Sequence, residues 1–232
     1  MDGVNIRIGD MKTFDDWGLM LSSMTIGFPE TKKNLVEIPA ADGSIDLTEA
    51  LGEIAYKNRR LELVFDAIGY YDSWHGLCTD IANYLHGKRM KIILDTDPYY
   101  YYIGRLELDT SKTDDVLHEI VLAGDVDPYK YELQSSLEDW LWDPFNFRTG
   151  IIRNYKDLKV EGSRTVKISG RRKPIVPTII SSTDMSVTFG GRTYSVRAGE
   201  QKIYRIVIRE GDNRLTFTGN GTISIDYRGG IL

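Results

Sequence analysis

The chain has 232 residues, of which 41% are apolar, and its 4 Trp, 14 Tyr and 7 Phe are enough to build sizeable cores. The single cysteine, Cys78, excludes an internal disulfide framework and a cysteine-based zinc site, and its apolar helical surroundings favour a small core residue over a reactive thiol. Net charge is −5, divided into −11 over residues 1–135 and +6 over residues 136–232, which indicates two modules.

No apolar run approaches the roughly 20 residues of a membrane span, and the first 20 residues contain no signal-peptide core. We therefore expect a chain without a membrane partner that is synthesised in the cytoplasm and stays soluble. The basic residues of the second half are spread along alternating segments, a pattern that disfavours a nucleic-acid patch.

Alternating apolar residues predict strands along the first half. Residues 4–8 and 19–26 read as the first two strands, and residues 56–68 as a third, longer one. In this third strand one face is predicted to be apolar, with Leu61, Leu63 and Phe65. Residues 116–124 are predicted to pair with residues 100–109 across the polar turn 110–115.

A polar segment, residues 30–57, lies between the second and third strands and is predicted to be a long hairpin arm. Asp42-Gly43 suits a tight hairpin turn. The arm holds only short apolar alternations, and a hairpin of this kind cannot form a core alone. It is either a disordered surface loop or an arm ordered by a neighbouring subunit. Its candidate intersubunit residues are Leu35, Val36, Ile38, Ile45, Leu47 and Leu51.

One helix is predicted after the third strand. Asp72 and Ser73 supply N-cap chemistry, and Gly87 ends the helix. Its apolar residues recur at three- and four-residue spacing, which predicts a single stripe packed on a sheet: Trp74, Leu77, Cys78, Ile81 and Leu85. The first half, residues 1–135, is thus predicted to be a β-sandwich flanked by one helix.

The block after this helix, YLHGKRMKIILDTDPYYYYIGRLEL at residues 84–108, predicts a strand over residues 89–94, a turn over 95–98 and a second strand. The tyrosines have high strand propensity, but aromatics also dominate interface hot spots. Because alternate residues face opposite ways, two of the four are predicted to point away from the domain's own core. Tyr99, Tyr100, Tyr101 and Tyr102 therefore form either an intersubunit contact or an exposed aromatic stripe.

The second half begins with a segment rich in aromatic residues, residues 136–155, which is predicted to be a connector packed between the halves. Its large side chains are too many for a flexible linker: Leu137, Trp140, Leu141, Trp142, Phe145 and Phe147. From residue 156 the chain shows short strands at turn-rich spacing and no helix pattern, which predicts a second β-sandwich over residues 156–232. The predicted strands are 165–169, 178–181, 185–189, 192–196, 201–209, 214–218 and 221–227.

Three N-terminal motifs resemble the N-terminal domain of distal tail proteins (Dit) of siphophages: residues 84–108, DWGL at 16–19 and IPAADG at 38–43. EGDNRLTFTG at 210–219 and GTISIDYR at 221–228 resemble the C-terminal domain of the same family, which is similar to galectins and carbohydrate-binding modules. The N-terminal motifs are fairly specific, whereas many viral β-sandwiches share the C-terminal ones.

That resemblance implies a structural virion protein at the distal end of a phage tail, assembled as a ring, typically a hexamer, around the DNA channel. It implies partners in the tail-tube protein, the tail tip or hub protein, the tape-measure protein and, in some phages, a receptor-binding protein, with DNA only in passage. The rivals are a carbohydrate-binding adhesion module and a tail-tube protein.

No catalytic, cofactor or metal site is predicted. His75 and His86 lie about 16 Å apart along the helix, too far to share a metal, and Asp95 with Asp97 lacks the rest of a calcium loop. An acidic channel lining would repel passing DNA. Candidate lining residues are Asp109, Asp114, Asp115 and Glu119, which equally fit ordinary turn acids on an outer surface.

Overall fold

The computed structural model describes residues 3–50, 52–67, 73–109, 119–138 and 154–232. The chain divides into two compact units, Met1–Lys130 with Leu232, and Tyr131–Ile231. Within the described residues no helix is long and apolar enough to cross a membrane.

Both units are built mainly from strands. The first unit contains, in chain order, β1 (Ile6–Ile8), β2 (Met11–Lys12), α1 (Thr13–Trp17), β3 (Leu19–Ile26), β4 (Leu35–Glu37), β5 (Ser44–Asp46), β6 (Arg59–Ala67), α2 (Trp74–Leu85), β7 (Arg89–Leu94), β8 (Tyr100–Leu108) and β9 (Glu119–Val126). The chain continues with β10 (Lys130–Glu132), β11 (Leu158–Gly170), β12 (Thr178–Ser181), β13 (Met185–Phe189), β14 (Arg192–Val196), β15 (Gly199–Lys202), β16 (Gly211–Asp226) and β17 (Gly230–Ile231). The predicted mainly β, antiparallel class with a flanking helix is confirmed.

The first unit holds an antiparallel sheet with the strand order β2-β1-β7-β8-β9-β6-β3. Strands β2 and β3 stand at opposite ends of this order, yet only the five-residue helix α1 and Gly18 separate them in sequence. The two sheet edges must therefore come close together, so the sheet curls around its own apolar face. Asp15 and Asp16 belong to α1.

The core of the first unit lies between this curled sheet and α2. The predicted apolar face of β6 is confirmed, since Leu61, Leu63 and Phe65 are fully buried. The predicted helical stripe is confirmed too, because all five of its residues are buried: Trp74, Leu77, Cys78, Ile81 and Leu85. The helix ends at the predicted glycine, where Gly87 has φ 71°.

Ser73 occupies the predicted N-cap position of α2, but its side chain makes no capping hydrogen bond. Its backbone φ of −126° and ψ of 20° differ from the extended conformation that directs an N-cap hydroxyl at the helix amides. Asp72 lies outside the described residues.

The second unit contains a six-stranded antiparallel sheet in which β16 is central: the order is β14-β13-β16-β12-β15, and β11 also pairs with β16. The sequence predicts two strands, 214–218 and 221–227, where the structure has this one long strand. Gly219 and Gly221 adopt φ values near +148° and +147°, which only glycine tolerates readily. They let β16 continue while its partner changes from β13 to β12.

The residues just after Lys130 belong to the second unit. The Glu132 amide donates to the Gly229 carbonyl at 3.0 Å, and the Glu132 carboxylate accepts from Arg171 Nε at 2.9 Å. Ser136 Oγ donates to the Ile225 carbonyl at 2.7 Å. These bonds explain why the unit boundary falls at Lys130 rather than at the predicted residue 135. Most of the predicted connector, residues 139–153, lies outside the described residues.

Candidate interaction surfaces

The segment predicted as an arm contains a separate two-stranded hairpin, β4–β5, that joins neither large sheet. Val36 lies opposite Ile45 in the hairpin register. Its described apolar side chains are 38–51% exposed: Leu35, Val36, Ile38, Ile45 and Leu47. Val36 and Ile45 share one face of the hairpin, and Leu35 lies on the other. We name these five exposed apolar side chains together the arm surface. Leu51 lies outside the described residues.

The base of the hairpin is fixed by backbone pairing on both sides. Thr31 bridges Tyr56, and the Lys32 amide donates to the Ala55 carbonyl at 2.8 Å. Lys57 Nζ also contacts Glu30 Oε2 at 2.9 Å. Since the arm is a paired hairpin with a fixed base, the alternative of a disordered loop is disfavoured. That a neighbouring subunit orders the arm stays a prediction.

The tyrosine run is buried rather than exposed. Tyr100, Tyr101 and Tyr102 are only 5%, 9% and 5% exposed, and Tyr99 is half-buried. The predicted exposed aromatic stripe is therefore wrong. The physical reason is that basic side chains cover the rings on both faces of β8, with Lys91 Nζ 4.9 Å from the Tyr101 ring and Lys130 Nζ 4.6 Å from the Tyr100 ring. An intersubunit contact through these tyrosines stays a prediction, and the tyrosines have little exposed area for such a contact.

Arg59 occupies a core-facing position at the start of β6 and is only 4% exposed. It is in phase with Leu61, Leu63 and Phe65, so the alternation along β6 directs it inward. Its guanidinium carbon lies 4.9 Å from the centre of the Tyr102 ring, while Nε and Nη2 have no hydrogen-bond partner. Burial lowers the pKa of Arg59 and raises the pKa of Tyr102.

The contact with the Tyr102 ring does not offset the free-energy cost of burying this charge. A desolvated cation–π contact contributes about 2 kcal/mol, whereas a buried charge left without its partner costs about 3–5 kcal/mol. Arg59 was missed in the sequence, although its parity with the apolar face of β6 is a readable signal.

A groove of about 600 Å³ lies on the opposite, polar face of the same sheet. A row of directly adjacent residues crosses four strands here: Arg89, Arg105, Asp125 and Arg60. The full lining is Asn58, Arg60, Arg89, Arg105, Glu107, Leu108, Asp109, Ala123, Gly124 and Asp125. Three arginines face three carboxylates, so the groove is a mixed-charge surface rather than a purely acidic one.

The charges in this groove are largely engaged with each other or with the backbone. Arg89 makes a bidentate pair with Asp127, at 2.8 and 3.0 Å. Arg105 Nη1 donates to the Gly87 carbonyl at 2.6 Å. Arg60 Nη2 lies 3.9 Å from Asp109 Oδ2. Such exposed pairs contribute at most about 1 kcal/mol each.

The candidate channel acids are only partly described. Asp109 and Glu119 are exposed, at the ends of β8 and β9. Asp114 and Asp115 lie outside the described residues. Because Arg60 sits beside Asp109, the acidic character of this edge is weaker than the sequence suggests, and its role as a channel lining stays a prediction.

The residues considered for metal chemistry have structural roles where they are described. His86 Nδ1 accepts from the Leu108 amide at 3.1 Å. Asp95 accepts from the Asn5 amide at 2.9 Å, and Asp97 binds Lys130 at 2.5 Å. Cys78 is buried, as expected for a core residue. No cluster of three His, Cys, Asp or Glu side chains suited to a metal occurs within the described parts of the chain.

The second unit presents two rows of hydroxyl side chains across four paired strands. One row is Ser163, Thr218, Ser186 and Ser195, and the other is Thr165, Thr216, Thr188 and Thr193. All eight are exposed or half-buried. Thr165 and Thr216 are hydrogen-bonded at 3.0 Å, and Thr188 and Thr193 at 2.9 Å. These rows form a polar face, which we name the hydroxyl face.

Comparison with known proteins gives a likeness in fold. No protein-family profile matches the sequence, and no curated protein matches it significantly. Among solved structures, the chain is similar to the SPP1 Dit (gp 19.1) protein, with a TM-score of 0.59 and 15% identity. The match covers 100% of both chains. That neighbour is described as a paradigm of the hub adsorption apparatus in phages that infect Gram-positive bacteria. At this identity the likeness establishes a shared fold, of the kind that the sequence resemblance implies.

Proposed function

We propose that this protein is a structural component of a bacteriophage tail, a distal tail protein that forms a ring between the tail tube and the tail tip. The observation that carries the proposal is the fold likeness to SPP1 Dit over the whole of both chains. Fold alone does not specify function. The motifs at residues 16–19, 38–43 and 84–108 add an independent resemblance to the same family.

The arm surface supports assembly into a closed oligomer. Contact between its five exposed apolar side chains and water is unfavourable in free energy. That unfavourable term is removed when a neighbouring copy covers them. A contact between different surfaces of identical copies generates a ring when the rotation closes. We propose a hexamer, with the first unit forming the ring wall and the second unit lying at the periphery.

DNA is proposed to pass through this ring without binding to it. The first 135 residues carry a net charge of −11, which repels phosphate groups and keeps DNA from adhering. The proposed partners are the tail-tube protein, the tail tip or hub protein and the tape-measure protein, with a receptor-binding protein in some phages. The proposed location is the distal end of the tail in the virion, and the role is structural rather than enzymatic.

Negative-stain microscopy of the purified protein, with native mass spectrometry, tests this proposal. Closed rings of six copies are the expected result. Long filaments would instead favour a tail-tube protein, because tube proteins continue to polymerise. A protein that remains monomeric at all concentrations would contradict the proposed ring.

A second candidate function is glycan binding by the second unit, which the hydroxyl face favours because hydroxyl groups can exchange hydrogen bonds with a polysaccharide. The simpler, structural explanation is that threonine has a high strand propensity and that threonine pairs stabilise neighbouring strands. Sugar-binding sites usually include exposed aromatic rings as well. In the described part of this unit, Tyr204 is a large aromatic residue with 78% exposure. Glycan-array binding by the full chain, lost in Thr188→Val with Thr193→Val, would support this candidate.

A further inference from the structure

We propose that Arg59 is an assembly receptor, which takes a carboxylate from a neighbouring copy of this chain as the partner that it lacks in its own. This inference rests on the proposed ring. It assigns to the ring a buried ionic contact in addition to the apolar arm surface.

The geometry of Arg59 carries the inference. The residue is 96% buried, and the Nε and Nη2 donors have no partner. A guanidinium in this state is poorly satisfied, because its planar fork is built to hold a carboxylate through two parallel hydrogen bonds. The contact with the face of Tyr102 provides attraction but no hydrogen-bond acceptor for those donors.

Two carboxylates of the first unit are already bound to other cations. Asp97, which lies close enough to act on Tyr102, is 2.5 Å from Lys130. Asp127, just after β9, holds Arg89 in a bidentate pair. The first unit thus has a buried cation for which its described acids supply no partner.

The position of Arg59 fits a partner that arrives from outside. It is the first residue of β6, and its register neighbour Val126 is the last residue of β9, so the backbone of Arg59 lies where both of these strands end. A neighbouring copy presents acids in excess, since residues 1–135 carry a net charge of −11. In a ring of identical copies, one acid of each copy would reach Arg59 of the next.

The test compares three variants with the wild-type full chain by mass photometry over a dilution series. Arg59→Met keeps the length of the side chain but removes its charge, and Arg59→Lys keeps the charge but loses the planar fork. Arg60→Met is the matched control, because Arg60 is the adjacent residue on the opposite, exposed face. Thermal melting below the dissociation concentration reports on the unassembled chain.

We expect Arg59→Met to raise the concentration at which rings dissociate at least tenfold, while the melting temperature of the unassembled chain rises. Arg59→Lys is expected to lie between wild type and Arg59→Met, and Arg60→Met to match wild type. Arg59→Met rings as stable as wild-type rings would overturn the inference. So would a lower melting temperature of the unassembled Arg59→Met chain, or Arg59→Lys rings as weak as those of Arg59→Met. Wild-type protein that never assembles would instead contradict the proposed function itself.

Discussion

Helix α2 and the arm hairpin contain similar apolar residues and place them in opposite environments. In α2 the stripe from Trp74 to Leu85 is buried against the sheet. In the hairpin β4–β5, Val36 and Ile45 face each other across the strands and are 43% and 48% exposed. The difference follows from geometry, since a helix can lay one face on a large sheet, whereas a lone two-stranded hairpin has no second layer to cover it.

This contrast shows that apolar side chains in this protein have two roles, one in folding and one in association. Those of α2 contribute to the free energy of folding of the first unit. Those of the arm contribute little to folding of the isolated chain and remain available for association. The following changes should separate the two roles.

The largest expected effect is on folding. Trp74→Ala should lower the free energy of unfolding of the first unit by about 3–5 kcal/mol, because it leaves a large cavity beneath the helix. Urea unfolding followed by circular dichroism measures this change. Val36→Ala in the arm is the control and should change the unfolding free energy little. An unchanged midpoint in Trp74→Ala would mean that the stripe does not hold the helix on the sheet.

The next effect is on assembly. Val36→Asp with Ile45→Asp places charge on the arm surface and should weaken ring formation at least tenfold, equivalent to about 1.4 kcal/mol, without changing the melting temperature of the unassembled chain. Light scattering measures the assembled fraction. Lys33→Asp adds negative charge to the arm outside its apolar residues and should leave rings intact. Rings of normal mass in the double variant would remove the arm from the interface.

A smaller effect extends the contrast to polar groups of the core. Burial raises the pKa of Tyr102 above its ordinary value, with Arg59 acting against that shift. Unfolding then releases a proton at alkaline pH, so the stability that Tyr102 provides is present below pH of about 10 and declines as pH rises toward the folded-state pKa. Between neutral pH and pH of about 11, the free energy of unfolding of Tyr102→Phe should decline less than that of the wild type. Urea unfolding measures this difference. The exposed Tyr204→Phe serves as the control and should follow wild type.

The smallest effect on folding is expected at the candidate channel acids. Changing Asp109, Asp114, Asp115 and Glu119 to Lys should leave ring formation intact, since exposed charges contribute about 0–1 kcal/mol each. If these residues line the channel, the variant should gain salt-sensitive binding of double-stranded DNA, because phosphate neutralisation releases counterions. A gel shift at low and moderate salt measures this gain. Wild-type rings that already bind DNA tightly would refute an acidic channel, and variant rings that ignore DNA would place these residues elsewhere.

Periodicity alone was enough to predict most of the regular elements. The bounds of β3, β7, β12, β13 and β14 match the predicted strands, and the buried stripe of α2 matches the predicted one. These signals are local, since a period of two or of 3.6 residues records which side of an element faces a core. The resemblance to distal tail proteins likewise required only short motifs.

Tertiary structure decided the remaining features. Alternation places Tyr101 away from Tyr100 and Tyr102, but only the fold brings Lys91 and Lys130 over the rings and buries the whole run. Gly219 and Gly221 read as a break, yet β16 continues through them because strands from distant parts of the chain pair on both sides. The row of Arg89, Arg105, Asp125 and Arg60 forms only when β7, β8, β9 and β6 take their register.

The sequence by itself thus determined which faces of the elements are apolar, where the helix stops and that the chain is mainly β. Only the tertiary structure decided which apolar faces find a partner within the chain, as α2 does and the arm hairpin does not. It also decided that Arg59 is enclosed without a carboxylate. The physical reason is that alternation fixes the direction of a side chain, whereas burial and pairing depend on residues that approach from elsewhere in the chain.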